Sequence, residues 1–220
     1  IGSDAAHLKT TARRDGTDFV INGTKRYITN AVRAGVFTVF ARTDPDREGG
    51  DGVSAFLVPA DTPGITVAKP DRKLGQRGTK TSDVIFDDVR IPEENIIGGP
   101  QNLNRGFRTA MKVLDRGRVH VASIAVGTAQ RMLDLATAYA LDRVQFGQPI
   151  AQHQFVQGML AESQAELLAA RHLVRATAAE YDSRGQAILM ASSSKFFASE
   201  MAFRVADRAL QIHGGAGYMA

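Results

Sequence analysis

The hydrophobic pattern of the chain changes near residue 100, and this change limits the folds that the sequence can adopt. Before it, short apolar runs are separated by dipeptides such as Asp15-Gly16 and Asn22-Gly23, which supply the positive φ of tight hairpin turns. After Pro100 no proline occurs until Pro149, and apolar residues recur at helical spacing. The pattern predicts a β-domain over residues 1–100 and a helical domain over 101–220.

The first hundred residues predict six or seven short strands. The residues assigned to them are Leu8 to Ala12, Phe19 to Ile21, Tyr27 to Thr29, Val36 to Arg42, Ser54 to Pro59, Ile65 to Ala68 and Ser82 to Phe86. Gly, Pro and Asp-rich loops join them, and the longest runs from Asp44 to Gly52. Short strands at this spacing are typical of a small antiparallel β-barrel or sandwich.

The remaining residues predict three long helices. The first covers about 103 to 142, the second runs from Phe155 to near Gly185, and the third runs from Ile188 through Ile212 and ends before Gly214. Long helices joined by short loops form an up-down antiparallel bundle, which is incomplete here. The fold class is therefore α+β, with the helical bundle following the β-domain.

Composition excludes several classes of function. Of the residues 44% are hydrophobic and 23% charged, no apolar run approaches the ~18 residues of a membrane span, and there is no cysteine. The 27 basic and 23 acidic residues are interleaved, so nucleic-acid binding is not expected and an anionic small ligand is plausible. Five scattered histidines predict no metal site. Because the chain starts at Ile1 without methionine, we expect its ends to be cuts in a longer protein.

Two segments of the β-domain combine residues that suit a ligand. Gly2-Ser3-Asp4 offers a backbone N–H and a hydroxyl to a phosphate, although it also makes an ordinary turn. Tyr27 and Thr29 share one face of an alternating strand, where a ring and a hydroxyl could flank a flat heteroaromatic ring. Simple packing of a sheet explains the same pair, so both interpretations stay open.

Three segments of the helical domain are similarly ambiguous. Asp115 and Arg118 are i,i+3 neighbours, which favours a solvated ion pair, while Gly117 between them is costly inside a helix. The stretch 143–154 reads either as a packed loop between helices or as a ligand contact. The glycines that follow Gln211 serve either as a helix cap or as a close approach to a ligand.

Taken together and in order, eight segments resemble the acyl-CoA dehydrogenase family over essentially the whole chain. They are Gly2–Asp4, Asn22–Asn30, Ser54–Val58, Asp61–Gly64, Lys73–Arg77, Phe86–Pro92, Arg143–Gly147 and Gln211–Gly215. The resemblance implies a middle β-domain followed by most of a C-terminal helical bundle, with the family's N-terminal helical domain absent from this chain.

The resemblance also implies an activity. It implies an FAD-dependent oxidoreductase of fatty-acid β-oxidation, which converts an acyl-CoA thioester to a trans-2-enoyl-CoA and passes electrons to an electron-transfer flavoprotein. The expected assembly is a homotetramer, a dimer of dimers with FAD shared across subunits, in the bacterial cytoplasm or the mitochondrial matrix. Alternatives on the same scaffold are an acyl-CoA oxidase, a nitroalkane-oxidase-like flavoenzyme and a non-catalytic CoA- or flavin-binding relative.

Carried over residue by residue, the resemblance names two groups of contacts. Those with FAD are Ser3, Tyr27 (in place of the commoner tryptophan), Ile28 and Thr29, and, for a neighbouring subunit's FAD, Arg143, Phe146, Gln154, Gln211, Gly214 and Gly215. Those with the CoA substrate are Ser3, Asp115 and Arg118. The family's catalytic glutamate is expected beyond Ala220, or in some members at the position of Gly117, which has no carboxylate. No catalytic residue is therefore assigned to this chain.

Overall fold

The computed structural model describes residues 4–219, so Ser3 and Ala220 lie outside the described residues. The chain divides into two compact units, with the division between Met111 and Lys112. The first unit holds the sheet and the second holds most of the helical residues. The division separates two groups of residues that mainly contact one another, and it does not test the domain boundary predicted at residue 100, which stays a prediction.

The first unit is built on one sheet of six strands. They are β1 (Thr11–Asp15), β2 (Asp18–Thr29), β3 (Val36–Arg42), β4 (Val53–Pro59), β5 (Ile65–Val67) and β6 (Thr81–Pro92), in the order β4-β3-β1-β2-β6-β5. All neighbours are antiparallel except β1 and β3, which are parallel. The predicted β-domain is confirmed in its sandwich form, since the sheet keeps β4 and β5 as its two edges and does not close into a barrel.

Aromatic rings from strands that are not neighbours in the sheet meet in the core of this unit. The ring centroids of Phe19 on β2 and Phe56 on β4 are 5.3 Å apart, and those of Phe37 on β3 and Phe86 on β6 are 6.3 Å apart. The sheet therefore folds over itself, so that β3 and β4 cover β2 and β6. Each fully buried large apolar side chain of this kind stabilises the fold by about 1.5–3 kcal/mol.

The predicted hairpin turn at Asn22-Gly23 is wrong, because both residues lie inside the twelve-residue strand β2. The register against β6 shifts between Ile21 and Gly23, which marks a β-bulge. Gly23 has φ 138°, and a Cβ there would approach the Cα of Thr10 to 2.9 Å. The glycine thus serves a bulge and a close strand contact. The turn predicted at Asp15-Gly16 is confirmed, with Gly16 at φ 64°.

The helices are α1 (Gly106–Asp142), α2 (Gln154–Arg184), α3 (Ile188–His213) and the short α4 (Gly215–Tyr218). A small hairpin of β7 (Val144–Gln145) and β8 (Gln148–Pro149) joins α1 to α2. Short 3-10 turns complete the described elements at Ala31–Arg33, Gly49–Gly52, Glu93–Asn95, Pro100–Asn102 and Ile150–Gln152. The second and third helices end where predicted, since Gly185 adopts φ 70° and Gly214 adopts φ 57° after them.

The helical unit has a core shared by three helices. Small and large apolar residues alternate in it, including Ala122 and Leu133 of α1, Leu167 of α2, and Met201 and Val205 of α3. The buried side chains of all three helices meet in this cluster and fill the space between the helices. Within residues 4–219, no helix is both long enough and apolar enough to cross a membrane.

Candidate functional site

The predicted flavin segment of β2 ends in a second bulge. The register against β6 shifts between Lys25 and Ile28, and Tyr27 adopts φ 58°, which is uncommon for a bulky residue. The side chain of Tyr27 is 64% exposed, and that of Thr29 is also exposed, while Ile28 packs against the core. The structure therefore leaves the ring and the hydroxyl available on the surface of the first unit.

Two residues hold Tyr27 in this conformation. The backbone N–H of Tyr27 donates a hydrogen bond to Oδ1 of Asp83, at 3.3 Å. The other carboxylate oxygen of Asp83 pairs with Arg26 at 3.3 Å, and the Arg26 guanidinium lies 4.8 Å from the centre of the Tyr27 ring. Asp83 was not among the predicted site residues; the signal for it is an acidic residue within an apolar strand.

At one end of the helical unit, three helix termini converge. The ring of Tyr139, near the end of α1, stacks on that of His213 at the end of α3, with centroids 4.6 Å apart. Ala140 and Ile212 pack there with Val156 from the first turn of α2. The predicted cofactor contacts in this unit lie at these termini, and all of them are exposed: Arg143, Phe146, Gln154, Gln211, Gly214 and Gly215.

Phe146 occupies the tip of the hairpin between α1 and α2. It has φ 54° and Gly147 has φ 79°, so both central residues of this two-residue turn have positive φ. The interpretation of Phe146 as part of a packed loop is wrong, because its side chain is 95% exposed. Its ring lies at right angles to the ring of His153, with centroids 5.8 Å apart. The ring is therefore available for a contact with another molecule.

The backbone beyond α3 is accessible at its glycines. Gly214 has φ 57° and ψ −132°, a conformation open to glycine, and a Cβ added at Gly214 or Gly215 would meet nothing within 4 Å. A ligand can therefore approach this backbone closely. Arg143 lies between the end of α1 and the first strand of the hairpin. Its backbone N–H donates a hydrogen bond to the carbonyl oxygen of Tyr139, at 2.9 Å, and its carbonyl oxygen accepts one from the N–H of Ile150, at 2.8 Å.

The predicted substrate contacts lie elsewhere on α1. The Arg118 guanidinium donates to the Asp115 carboxylate, so the ion pair predicted from their spacing is present. Gly117 between them has open space where a Cβ would stand. Arg143 lies 28 positions after Asp115, along the length of α1, which corresponds to about 40 Å at the helical rise. One chain therefore does not bring these two groups together.

Sequence reasoning also missed a half-buried lysine and an arginine-lined cavity, both in the first unit. Burial lowers the pKa of Lys25 to about 8. A cavity of about 390 Å³ is lined by polar residues that include Arg47, Arg105 and Arg108. No spacing rule would single out these arginines, since they come from a loop and from the start of α1.

Comparison with protein families assigns both parts of the chain. The acyl-CoA dehydrogenase middle domain matches residues 1–89, and the acyl-CoA dehydrogenase C-terminal domain matches residues 104–220. The chain belongs to the acyl-CoA dehydrogenase family. The resemblance to this family that the sequence segments indicated is thereby confirmed, and only residues 90–103 lie between the two matched domains.

Individual relatives of the acyl-CoA dehydrogenase family agree. The probable acyl-CoA dehydrogenase YngJ of Bacillus subtilis is 44% identical over 218 residues, covering 99% of this chain and 57% of that protein. Butyryl-CoA dehydrogenase of Megasphaera elsdenii superposes with a TM-score of 0.94 and 37% identity, covering 99% of this chain and 56% of the other. A glutaryl-CoA dehydrogenase of Mycobacterium smegmatis in complex with FADH2 superposes with a TM-score of 0.90 and 33% sequence identity. The superposition covers 99% of this chain and 54% of the other. The chain thus spans somewhat more than half the length of these relatives.

Proposed function

We propose that the protein containing this chain is an FAD-dependent acyl-CoA dehydrogenase. It oxidises an acyl-CoA thioester between the α and β carbons to a trans-2-enoyl-CoA and passes the electrons to an electron-transfer flavoprotein. The observation that carries the proposal is the convergence of Arg143, the exposed Phe146 ring and the open glycines after Gln211 at one end of the helical unit. Membership of the acyl-CoA dehydrogenase family supports FAD as the ligand of this surface.

The residues present fit FAD in chemical kind. Arg143 supplies an exposed guanidinium, which pairs well with a diphosphate, and Gly214 and Gly215 leave backbone groups open to phosphate oxygens. In the first unit, Tyr27 presents a flat ring and Thr29 a hydroxyl, which suit an isoalloxazine. Ile28 fixes the segment by packing into the core, and Ser3 is assigned to the pyrophosphate by family resemblance alone.

In the proposed reaction the bound FAD supplies the acceptor for the hydride that leaves the β carbon. Thr29 would donate a hydrogen bond from its hydroxyl to the cofactor, and Tyr27 would contact the cofactor through its ring. Asp115 and Arg118 hold the CoA portion of the substrate, where their mutual ion pair fixes both side chains. The base that removes the α proton is expected beyond Ala220, so this chain contributes binding and orientation.

Sharing of FAD between subunits follows from the same assignment. Arg143, Phe146, Gln154 and Gln211 lie about 40 Å along the helical unit from Asp115. We assign these four residues to the FAD of a neighbouring subunit within a dimer of dimers. Cofactor retention and assembly are then linked, because a ligand that binds only the assembled form stabilises it.

A product assay of the intact protein tests this function. A panel of saturated acyl-CoAs is incubated with the protein and an electron-transfer flavoprotein, and the product is followed by mass spectrometry for the loss of two hydrogens. The Thr29→Val variant should lose activity about tenfold, the value of one hydrogen bond to a reacting system. Thr66→Val, at an exposed threonine of β5, is the matched control.

The same assay separates the alternatives. Dioxygen as the preferred acceptor would identify an acyl-CoA oxidase or a nitroalkane-oxidase-like enzyme. Flavin binding without any enoyl product would identify a non-catalytic relative. A protein that binds neither flavin nor acyl-CoA would overturn the proposal.

A further inference from the structure

Lys25 enters the interior of the first unit. It lies on β2 opposite Val84 of β6, and residues paired in this way direct their side chains to the same face of the sheet. Val84 is fully buried, so the Lys25 side chain lies on the core face. Its Nζ donates a hydrogen bond to the carbonyl oxygen of Phe40 on β3, at 2.6 Å. Among residues 4–219 no carboxylate pairs with this ammonium group, and burial lowers its pKa to about 8.

The hydrogen bond between Lys25 and Phe40 forms beyond the point where β1 separates β2 from β3. In the sheet, β1 lies between β2 and β3, and its ladders begin at Thr11, which pairs with Asn22 of β2 and Arg42 of β3. Lys25 and Phe40 both lie beyond that point, on the side where β1 has not yet begun. The long lysine side chain therefore connects β2 to β3 across a gap in the backbone ladder.

The end of β2 depends on this connection. Beyond Lys25, the strand continues through the bulge at Tyr27 and pairs with β6 on one side only, through Ile28 with Ser82 and Thr29 with Thr81. On the other side, within residues 4–219, β1 pairs with β2 only as far as Asn22. We propose that Lys25 is a positioning residue, whose link to Phe40 fixes the end of β2 so that Tyr27 and Thr29 meet the flavin in one orientation. The inference rests on the proposed function for its flavin part.

Global stability is a poor test of this role. Removing a buried ammonium group relieves a desolvation cost, while the Phe40 carbonyl loses its partner, and the two effects oppose each other. Local readouts are therefore needed. The variants are Lys25→Met, which keeps the chain length without a donor, Lys25→Arg, which keeps a cationic donor, and Lys69→Met, an exposed lysine of the same unit as control.

The first readout is hydrogen exchange of residues 24–30 in the intact protein without flavin. Lys25→Met should speed exchange about fivefold, the factor that one hydrogen bond of average net strength allows. Lys69→Met should leave it unchanged, and Lys25→Arg should restore most of the protection. Unchanged exchange in Lys25→Met overturns the proposed link, whether or not the protein binds flavin.

The second readout is the flavin itself, through its dissociation constant and visible spectrum. Lys25→Met should weaken FAD binding about fivefold and shift the spectrum, while Lys69→Met does neither. Faster exchange with unaltered flavin properties would overturn the positioning role and leave the proposed function intact. A wild-type protein that binds no FAD would refute the proposed function, and with it the flavin part of this inference, and the exchange result would still decide the link. If Lys25→Met does not fold, loss of protection in Lys25→Gln replaces it.

Discussion

The ring of Tyr139 stacks on the ring of His213, with centroids 4.6 Å apart and planes inclined by 26°. This contact joins the last turn of α1 to the last residue of α3. Arg143 follows α1 directly and Gln211 precedes His213 by two residues, so the stack fixes the spacing of these two proposed FAD contacts. His213 is itself held by its Nδ1, 2.7 Å from the carbonyl oxygen of Ala209.

Replacing Tyr139 by alanine should therefore loosen this end of the helical unit. We expect Tyr139→Ala to lower the free energy of unfolding by about 1 kcal/mol beyond the loss of apolar contact, the usual value of an aromatic pair. Tyr139→Phe keeps the ring and serves as the control. Chemical denaturation measures both, and equal stability of the two variants would show that the stack contributes nothing.

Gly23 should tolerate no side chain. Its φ of 138° is a conformation that alanine rarely adopts, so Gly23→Ala would strain the backbone. An added Cβ would also approach the Cα of Thr10 to 2.9 Å, which is a steric overlap. We expect a loss of about 2 kcal/mol or more in the free energy of unfolding. Gly35→Ala is the matched control, since a Cβ at Gly35 meets nothing within 4 Å. A Gly23→Ala protein as stable as Gly35→Ala would contradict the bulge.

An ion-pair network links α2 to α3 and predicts a dependence on acid. Glu166 is bonded by Arg204 at 3.0 Å and by Arg208 at 3.3 Å. Burial raises the pKa of Glu166, but the hydrogen bonds from Arg208 and Arg204 outweigh it, so the pKa lies below its ordinary value of 4.5. The unfolded chain then binds the proton more readily, and the stabilisation present above that ordinary value is lost as the pH falls through the folded pKa.

Glu166→Gln should remove this dependence. At neutral pH we expect the variant to be less stable by about 2 kcal/mol, and the gap to wild type should close on acidification. Glu200→Gln, at an exposed glutamate of α3, is the control. Urea unfolding across the acid range measures the difference, and a gap that stays constant with pH would contradict the assigned pKa shift.

Much of the fold follows from local rules. The helix ends at Arg184 and His213 were predictable because Gly185 and Gly214 are glycines at positions that need unusual backbone conformations. Asn22-Gly23 misled for the same reason, since positive φ serves a bulge as well as a turn. Strand β6 runs on to Pro92 beyond the predicted Phe86, because Asn22 exchanges hydrogen bonds of 2.9 Å with Asp88 and supports the polar stretch.

The site was predictable in its residue types and less so in its geometry. Family resemblance named Tyr27 and Phe146, but the positive φ of each depends on partners distant in sequence or on turn geometry. The burial of Lys25 depends on where β1 begins, which no local pattern in β2 contains. Such features arise from tertiary pairing, and sequence periodicity does not report them.

Arg143 should govern retention of the cofactor. Its side chain is exposed, and its backbone is bonded to Tyr139 before the hairpin and to Ile150 after it. Because alanine keeps both backbone bonds, Arg143→Ala should not disturb the fold. We expect FAD to bind about tenfold more weakly or worse, the contribution of a charge-assisted hydrogen bond. Arg131→Ala, at an exposed arginine within α1, is the control. Flavin content and oligomer mass equal to wild type would count against the assignment.

The proposed activity as a whole is tested most directly by an anaerobic titration of the intact, purified protein with a panel of acyl-CoAs while the visible flavin absorbance is recorded. We expect a yellow protein whose absorbance is bleached in proportion to added substrate by at least one acyl-CoA. A colourless protein, or a flavin that stays oxidised with every member of the panel, would contradict the proposed activity.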